Sequence, residues 1–355
     1  MKLALITDTH WGIRNDSPIF HDYTKKFLDN SFFPYLKENN ITTVVHLGDI
    51  FDKRKQVNIQ TANRLRKDFL EVLHVMQIEM HLIAGNHDTY YKNTNKINSI
   101  DEFITGVYPN IISYTNNAET IEFDGLPILF VPWICDENRD QILQEMERTN
   151  AQICMGHLEI QGFEMYKGSI VSHGDDRKLF NKFDMVFSGH FHHRSSDGQI
   201  FYLGSHAEFT WSDYDDPKGF HIFDTETREI KFVENPYRMF KKIWYNDTDE
   251  NFIKNKIDYS QYSNCILKVI VTNKSNPYWF DRFIENLEKE NPVDMQIVED
   301  HFNLDVENDE DIINEAESTL DIFKKYIQNY DLKNVPRDKL EIKINQLYEE
   351  ALSLE

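Results

Sequence analysis

The sequence is poor in cysteine and in positive charge. Its three cysteines, Cys135, Cys154 and Cys265, are scattered over 355 residues, and an odd, dispersed set supports neither a disulfide framework nor a cysteine-type zinc site. A reducing, cytoplasmic setting is the expectation. Only 38 Lys and Arg face 60 Asp and Glu, for a formal net charge of -22, which argues against a nucleic-acid protein with a broadly basic surface. A local basic groove stays open. No apolar run reaches the roughly 20 residues of a membrane helix, and LALIT (3–7) is too short for a signal-peptide core. What the chain does have is aromatic bulk, with 25 Phe, 17 Tyr and 5 Trp, enough to build a core of ordinary globular type.

Its length suggests two or three units. LALIT, TVVHL (43–47) and HLIAG (81–85) read as strands, with helical patterns at 21–38 and 59–76 between them. That order predicts a parallel α/β sheet. Beyond it, TIEFDGLPILFVPW carries an Asp124-Gly125 hairpin signal, and QICMGHL, MVFSGHF, IFYLGS, GFHIFD and EIKFVE read as further strands. A second, more antiparallel sheet is expected to pack on the first. After Asn235-Pro236, residues 240–300 read as a small α/β domain. Residues 291–355 hold 17 acidic and 6 basic side chains, half of the net charge, and nine acidic residues with no basic one fall between Glu299 and Glu317. That stretch reads as a solvated linker entering a helix.

The strands end in an unusual way. LALIT runs into Asp8-Thr9-His10, TVVHL into Gly48-Asp49-Ile50-Phe51-Asp52, HLIAG into Asn86-His87-Asp88, QICM into Gly156-His157, and MVFS into Gly189-His190-Phe191-His192. A lone Asp after a strand is usually a turn former or helix cap, and a lone His is usually a satisfied core or surface residue. Loops at the carboxyl ends of strands in an open α/β sheet converge on one crevice, however, and His190 and His192 share a face of an extended segment. Five coincidences at one sheet edge point to metal. Mixed carboxylate, amide and imidazole without Cys suits two divalent ions such as Mn²⁺, with Fe or Zn as alternatives. Two ions about 3.5 to 4 Å apart that share a carboxylate serve phosphate-ester hydrolysis.

The motifs DTH, GDIFD, GNHD, GH and GHFH, in that order, resemble those of the calcineurin-like metallophosphoesterases. Their spacing, the VPWICDEN segment and the stretch from Tyr166-Lys167-Gly168 to Ser172-His173-Gly174 narrow the resemblance to the Mre11/SbcD nucleases, and most closely to their T4-type phage members. The signature covers residues 8–192, and the likeness to the phage proteins extends to about residue 225. No Tyr follows the GD motif as in purple acid phosphatases, and the GNHE of Ser/Thr phosphatases is GNHD here. The resemblance implies a two-sheet metallophosphoesterase sandwich with flanking helices over 1–235, a capping domain over 236–300, and over 301–355 an acidic linker with a helical hairpin that grips an ATPase partner. It implies that Asp8, His10 and His192 hold one Mn²⁺, that Asn86, His157 and His190 hold the other, and that Asp49 bridges them, with Mg²⁺ as a substitute. His87 would contact the scissile phosphate and Asp88 would orient its ring through a hydrogen bond. Archaeal and eukaryotic members carry His where this chain has Asp52, so a second phosphate-side histidine is missing.

The resemblance thus implies a Mn²⁺-dependent DNA nuclease with 3′–5′ exonuclease and single-strand endonuclease action, acting in recombination and repair. Its partners would be DNA, an SMC-like ATPase and a second copy of the chain, with no membrane. Two other readings compete: a small-molecule phosphoesterase, disfavoured by some 130 additional residues, and a non-enzymatic scaffold, disfavoured by an intact His87 and a full ligand set. Lys53, Arg54, Lys55, Arg64, Arg66, Lys67, Lys241 and Lys242 are candidate DNA contacts or a solvated face. In the C-terminal segment, Ile313, Ala316, Leu320, Phe323, Ile327 and Tyr330, then Leu340, Ile344, Leu347, Ala351 and Leu354, repeat at heptad spacing. These stripes either bury each other or dock on the ATPase.

Overall fold

Alternation along the first strand sets the layers. In β1 (Lys2–Ile6) Leu3 and Leu5 enter one apolar cluster while Ala4 and Ile6 enter another, and all four are buried. A strand buried on both faces belongs inside a sheet covered on both sides. The computed structural model describes residues 1–166, 169–250, 252 and 257–299. In it β1 pairs in parallel with β2 (Thr43–His46), followed by β3 (Glu79–Ile83) and β4 (Ile111–Tyr114). On the other edge β13 (Gly219–Asp224) and β14 (Ile230–Glu234) add antiparallel.

Helical segments fill the crossovers where the sequence pattern places them. One starts at Pro18, whose fixed φ suits a first helical position, and runs through Glu38 with a π-helical stretch at Leu28–Phe32. The other starts after Asn58, whose Oδ1 caps the Gln60 N–H at 2.8 Å, and runs through Val75. Phe27, Phe32, Leu36, Leu65, Phe69 and Leu73 cover the outer face of the sheet.

The second sheet has the order β11 (Ser195–Ser196), β12 (Ile200–Tyr202), β10 (Met185–Ser188), β7 (Ile153–Gly156), β6 (Leu126–Val131), β5 (Glu119–Phe123). Its four central strands are parallel, and only the two edge strands are antiparallel. This corrects the expected, more antiparallel sheet. The connection between β6 and β7 carries the helix Arg139–Arg148, a crossover rather than a hairpin. The hairpin expected at Asp124-Gly125 is present: φ is 48° and 80° there, the left-handed pair of a tight two-residue turn. A short hairpin, β8 (Glu164–Tyr166) and β9 (Ser169–Ile170), falls between β7 and β10 in sequence.

Between the two sheets Leu5, Val45 and Ile83 meet Phe130, Met155 and Phe187. Backbone bonds continue past the strand ends within each sheet, Asp8 N–H donating to Gly48 O and Gly189 N–H to Gly156 O, and Trp133 N–H donates to Ala84 O across the sandwich, so the carboxyl ends of parallel strands from both sheets meet at one edge.

A third, parallel sheet, β15 (Phe240–Asn246), β16 (Ile266–Asn273) and β17 (Asp294–Val298), packs under the helix Pro277–Glu288 with its own core of Tyr245, Leu267, Val269, Phe280 and Phe283. It lies in the same compact unit as the larger sheets, because Phe240 and Ile266 join a cluster with Phe20, Phe209 and Trp211. The linker and heptad stripes expected over 301–355 lie outside the described residues, as do Lys167 and Gly168. No described helix is long and apolar enough to cross a membrane.

Candidate metal centre

Each expected ligand leaves the carboxyl end of a strand, and the backbone there is unusual. Asp8, His10, Asp49 and His190 have φ of 51°, 42°, 53° and 81°. A non-glycine residue in this region costs about 1–3 kcal/mol and persists only where the surroundings over-determine it. The glycines of the motifs answer a different demand. A Cβ on Gly85 would sit 2.2 Å from Asp49 Oδ1, and one on Gly189 2.1 Å from Thr7 Oγ1, so only glycine lets these loops approach.

The side chains form two groups. In the first, His10 Nε2 and His192 Nε2 face each other at 3.0 Å, and Asp8 Oδ1 lies 3.9 Å from both. In the second, Asn86 Oδ1 lies 2.9 Å from His157 Nε2 and 2.9 Å from His190 Nδ1. Asp49 Oδ2 stands between the groups, 3.8 Å from His10 Nε2 and 3.3 Å from His157 Nε2. These separations suit atoms that each lie about 2.0 to 2.2 Å from a shared divalent cation. A single proton serves two atoms, whereas three or four donors converge in each group, so the residues present fit metal. A third trio, His10, Asp52 and His87, draws on His10, whose Nε2 already faces the first group.

A hydrogen bond to a carbonyl sets the aim of one ring. His157 Nδ1 lies 2.7 Å from Leu47 O; a carbonyl only accepts, so Nδ1 carries a proton and Nε2 is the atom turned to the second group. Charge follows the same geometry. Burial pulls the His10 pKa down, but Asp52, Asp49 and Asp8 outweigh it and raise it to about 10. At His157 burial is likewise overcome by Asp49 and Asp8, and the pKa rises to about 9. Burial, with the charge of His157 or His10 beside them, holds His190 and His192 well below the usual imidazole value. Asp49 thus favours positive charge at both His10 and His157, as it would favour a cation between them.

The calcineurin-like phosphoesterase family model matches residues 1–194, a span that holds all seven of these side chains. The chain belongs to the calcineurin-like phosphoesterase family. It is 34% identical over 356 residues to exonuclease subunit 1 of Enterobacteria phage T4, covering 99% of both chains. It is 25% identical over 300 residues to the SbcD subunit of the nuclease SbcCD of Staphylococcus saprophyticus, covering 75% of this chain and 77% of that one. The corresponding SbcD protein of Staphylococcus epidermidis gives 24% over 296 residues, with 74% and 77% covered. The resemblance carried by the five motifs is borne out, and the similarity to the phage protein runs well past residue 225.

In this phosphoesterase the expected link between Asp88 and His87 is absent. Asp88 is fully buried and its carboxylate accepts four backbone N–H groups: Gly85 and Asp49 at 2.9 Å on Oδ2, Ile50 at 3.0 Å and Phe51 at 3.1 Å on Oδ1. No hydrogen-bonding capacity is left for the His87 ring. Asp88 therefore holds the loop that presents Asp49, and the His87 ring is set by Asp52 instead: His87 Nδ1 donates to the Asp52 carbonyl, while Asp52 Oδ1 lies 3.4 Å from His10 Nδ1.

Two further residues of the phosphoesterase line the centre. The Trp133 ring lies 5.2 Å from that of His190 and 6.1 Å from that of His157. Arg54 has a buried Nη1 without a hydrogen-bond partner among the described residues. It is one of the basic residues after GDIFD that the sequence offers as DNA contacts or a solvated face, and its buried Nη1 is unlike a solvated face.

Proposed function

We propose that this phosphoesterase is a DNA nuclease, with 3′–5′ exonuclease and single-strand endonuclease action at a centre of two Mn²⁺ ions. The observation that carries the reading is the position of Asp49 Oδ2 between two ligand groups. Asp8, His10 and His192 would hold one ion, Asn86, His157 and His190 the other, and Asp49 both. Divalent ions, when bound, supply positive charge to a phosphate and activate water. Imidazole ligands favour Mn²⁺ over Mg²⁺.

The chain's own residues do the rest. Asp88 fixes the Asp49 loop through its four backbone bonds. His87 is half-buried, and its Nδ1 proton is committed to the Asp52 carbonyl. Its Nε2 is therefore the atom turned to substrate, and as an imidazolium it donates to a phosphate oxygen and passes its Nε2 proton to the leaving 3′- or 5′-oxygen, ending as the neutral ring with Nδ1–H still on the carbonyl. The similar proteins of phage T4 and of the staphylococci are called exonuclease and nuclease, which supports a nucleic-acid substrate, and both names mark them as subunits. In this reading residues 1–235 form the nuclease domain, 236–300 a cap, and 301–355 the segment that grips an SMC-like ATPase, with a second copy of the chain completing the complex.

The test is incubation of purified protein with end-labelled DNA under Mn²⁺, Mg²⁺ or EDTA. Cleavage with Mn²⁺, slower cleavage with Mg²⁺ and none with EDTA is the expected pattern. Cleavage that survives exhaustive chelation contradicts it.

A further inference from the structure

Lys218 is an ammonium group that no ligand role uses, yet it is only 2% exposed. It sits just before β13, and its three N–H bonds are all spent inside the protein: one to the His192 carbonyl at 2.7 Å, one to Asp213 Oδ1 at 2.7 Å and one to Asp216 Oδ2 at 2.8 Å. Burial opposes the charge, but Asp213 and Asp216 hold the Lys218 pKa above its ordinary value.

Each carboxylate passes the restraint on. Asp213 Oδ2 accepts the N–H of Phe209 at 2.8 Å and of Thr210 at 3.0 Å, and the Phe209 ring lies 5.7 Å from the rings of both His10 and His192. Asp216 Oδ1 lies 3.0 Å from His193 Nδ1, on the residue after His192. The His192 carbonyl also accepts the Ser205 N–H at 3.1 Å. One buried charge thus fixes the His192 main chain, the His193 side chain and the aromatic wall behind His10. Of the two ligand groups, the one these links reach is Asp8, His10 and His192. Among the described residues, none of the bonds of Lys218, Asp213 or Asp216 reaches Asn86, His157 or His190.

We infer that Lys218 is a positioning residue for one ion site only, and that its loss weakens ion binding by Asp8, His10 and His192 while sparing the other site. The inference rests on the two-ion reading above. Its geometric reason is that neutralising Lys218 leaves two carboxylates facing each other and leaves the His192 carbonyl with the Ser205 N–H alone, so the imidazole is aimed less firmly at Asp8 and His10.

The test is a Mn²⁺ titration of the full chain, followed by calorimetry and by electron paramagnetic resonance, which separates a coupled ion pair from an isolated ion. The wild type should take up two ions and show the coupled signal. Lys218→Met should hold one ion at wild-type affinity and bind the other about 10- to 100-fold more weakly, as His192→Asn should, and Lys218→Arg should restore the pair. Asp216→Asn, which keeps the buried ammonium, decides the matter if Lys218→Met does not fold, and should weaken the same single step. Two ions at wild-type affinity in the folded variants, or equal weakening of both, overturns the inference. A wild type that binds fewer than two ions overturns the two-ion reading itself, before any variant is compared.

Discussion

His87 Nδ1 donates to the backbone carbonyl of Asp52, while the carboxylate of the same Asp52 lies 3.4 Å from His10 Nδ1. One residue thus holds the His87 ring with its main chain and stands beside the His10 ring with its side chain. Asp52→Asn should separate the two effects. The carbonyl survives, so cleavage at saturating Mn²⁺ should stay within about threefold of wild type, while the metal affinity that depends on His10 should fall about tenfold. Rates measured across a Mn²⁺ titration check this. A large loss at saturating metal would assign the carboxylate itself to the chemistry.

Replacing Asp88 should act through the fold. Asp88→Ala strands four buried backbone N–H groups, each worth about 1–3 kcal/mol when left unpaired, so stability should drop by about 3 kcal/mol or more. The urea midpoint measures it. A variant as stable as wild type but inactive would restore Asp88 to a direct catalytic role.

His87→Ala should keep both ions and lose roughly 10² to 10⁴ in cleavage rate, the usual contribution of a general acid. Metal analysis of the purified variant is the companion measurement. A folded but metal-free His87→Ala would make His87 a ligand.

Arg54 places an unpartnered buried Nη1 where Asp49 and Asp88 favour its charge, against the burial that lowers its pKa. A charged hydrogen bond from this guanidinium to a phosphate oxygen is worth about 1.5–3 kcal/mol. Arg54→Gln should therefore raise KM for DNA at least about tenfold with metal content unchanged. An unaltered KM would leave Arg54 a structural cation.

Acid should destabilise the fold through two buried histidines. Burial, joined by the charge of neighbouring histidines, lowers the pKa of His46 and His206 to about 3, whereas an unfolded chain protonates them near pH 6.5. Between those values the unfolded state binds more protons, so stability falls as pH falls. The urea midpoint should drop from pH 6.5 to pH 5, and less steeply in His46→Gln. A flat midpoint across that range contradicts the assignment.

The side chains of the centre were legible because each rests on a short local cue: a strand end, a turn, and a glycine such as Gly85 or Gly189 where a Cβ would collide with a neighbouring loop. The αβ order of the first sheet was legible for the same reason, since Leu3 to Ile6 alternate between two buried faces. What escaped depends on contacts distant in sequence. Asp88 sits next to His87, but its partners at Asp49, Ile50 and Phe51 lie 37 to 39 residues away. Nothing local tells β7 to pair in parallel with β10. Lys218 meets the His192 carbonyl from 26 residues downstream, and a lysine before a strand reads as an ordinary exposed charge.

Among the described residues Asp49 is the side chain set between both ligand groups, so the count of ions it supports tests the two-ion centre most directly. Bound Mn²⁺ per chain, measured by elemental analysis after equilibrium dialysis, should be two in the wild type and fall below one in Asp49→Ala with the fold retained by circular dichroism. A folded Asp49→Ala that still holds two ions would contradict a shared carboxylate between them.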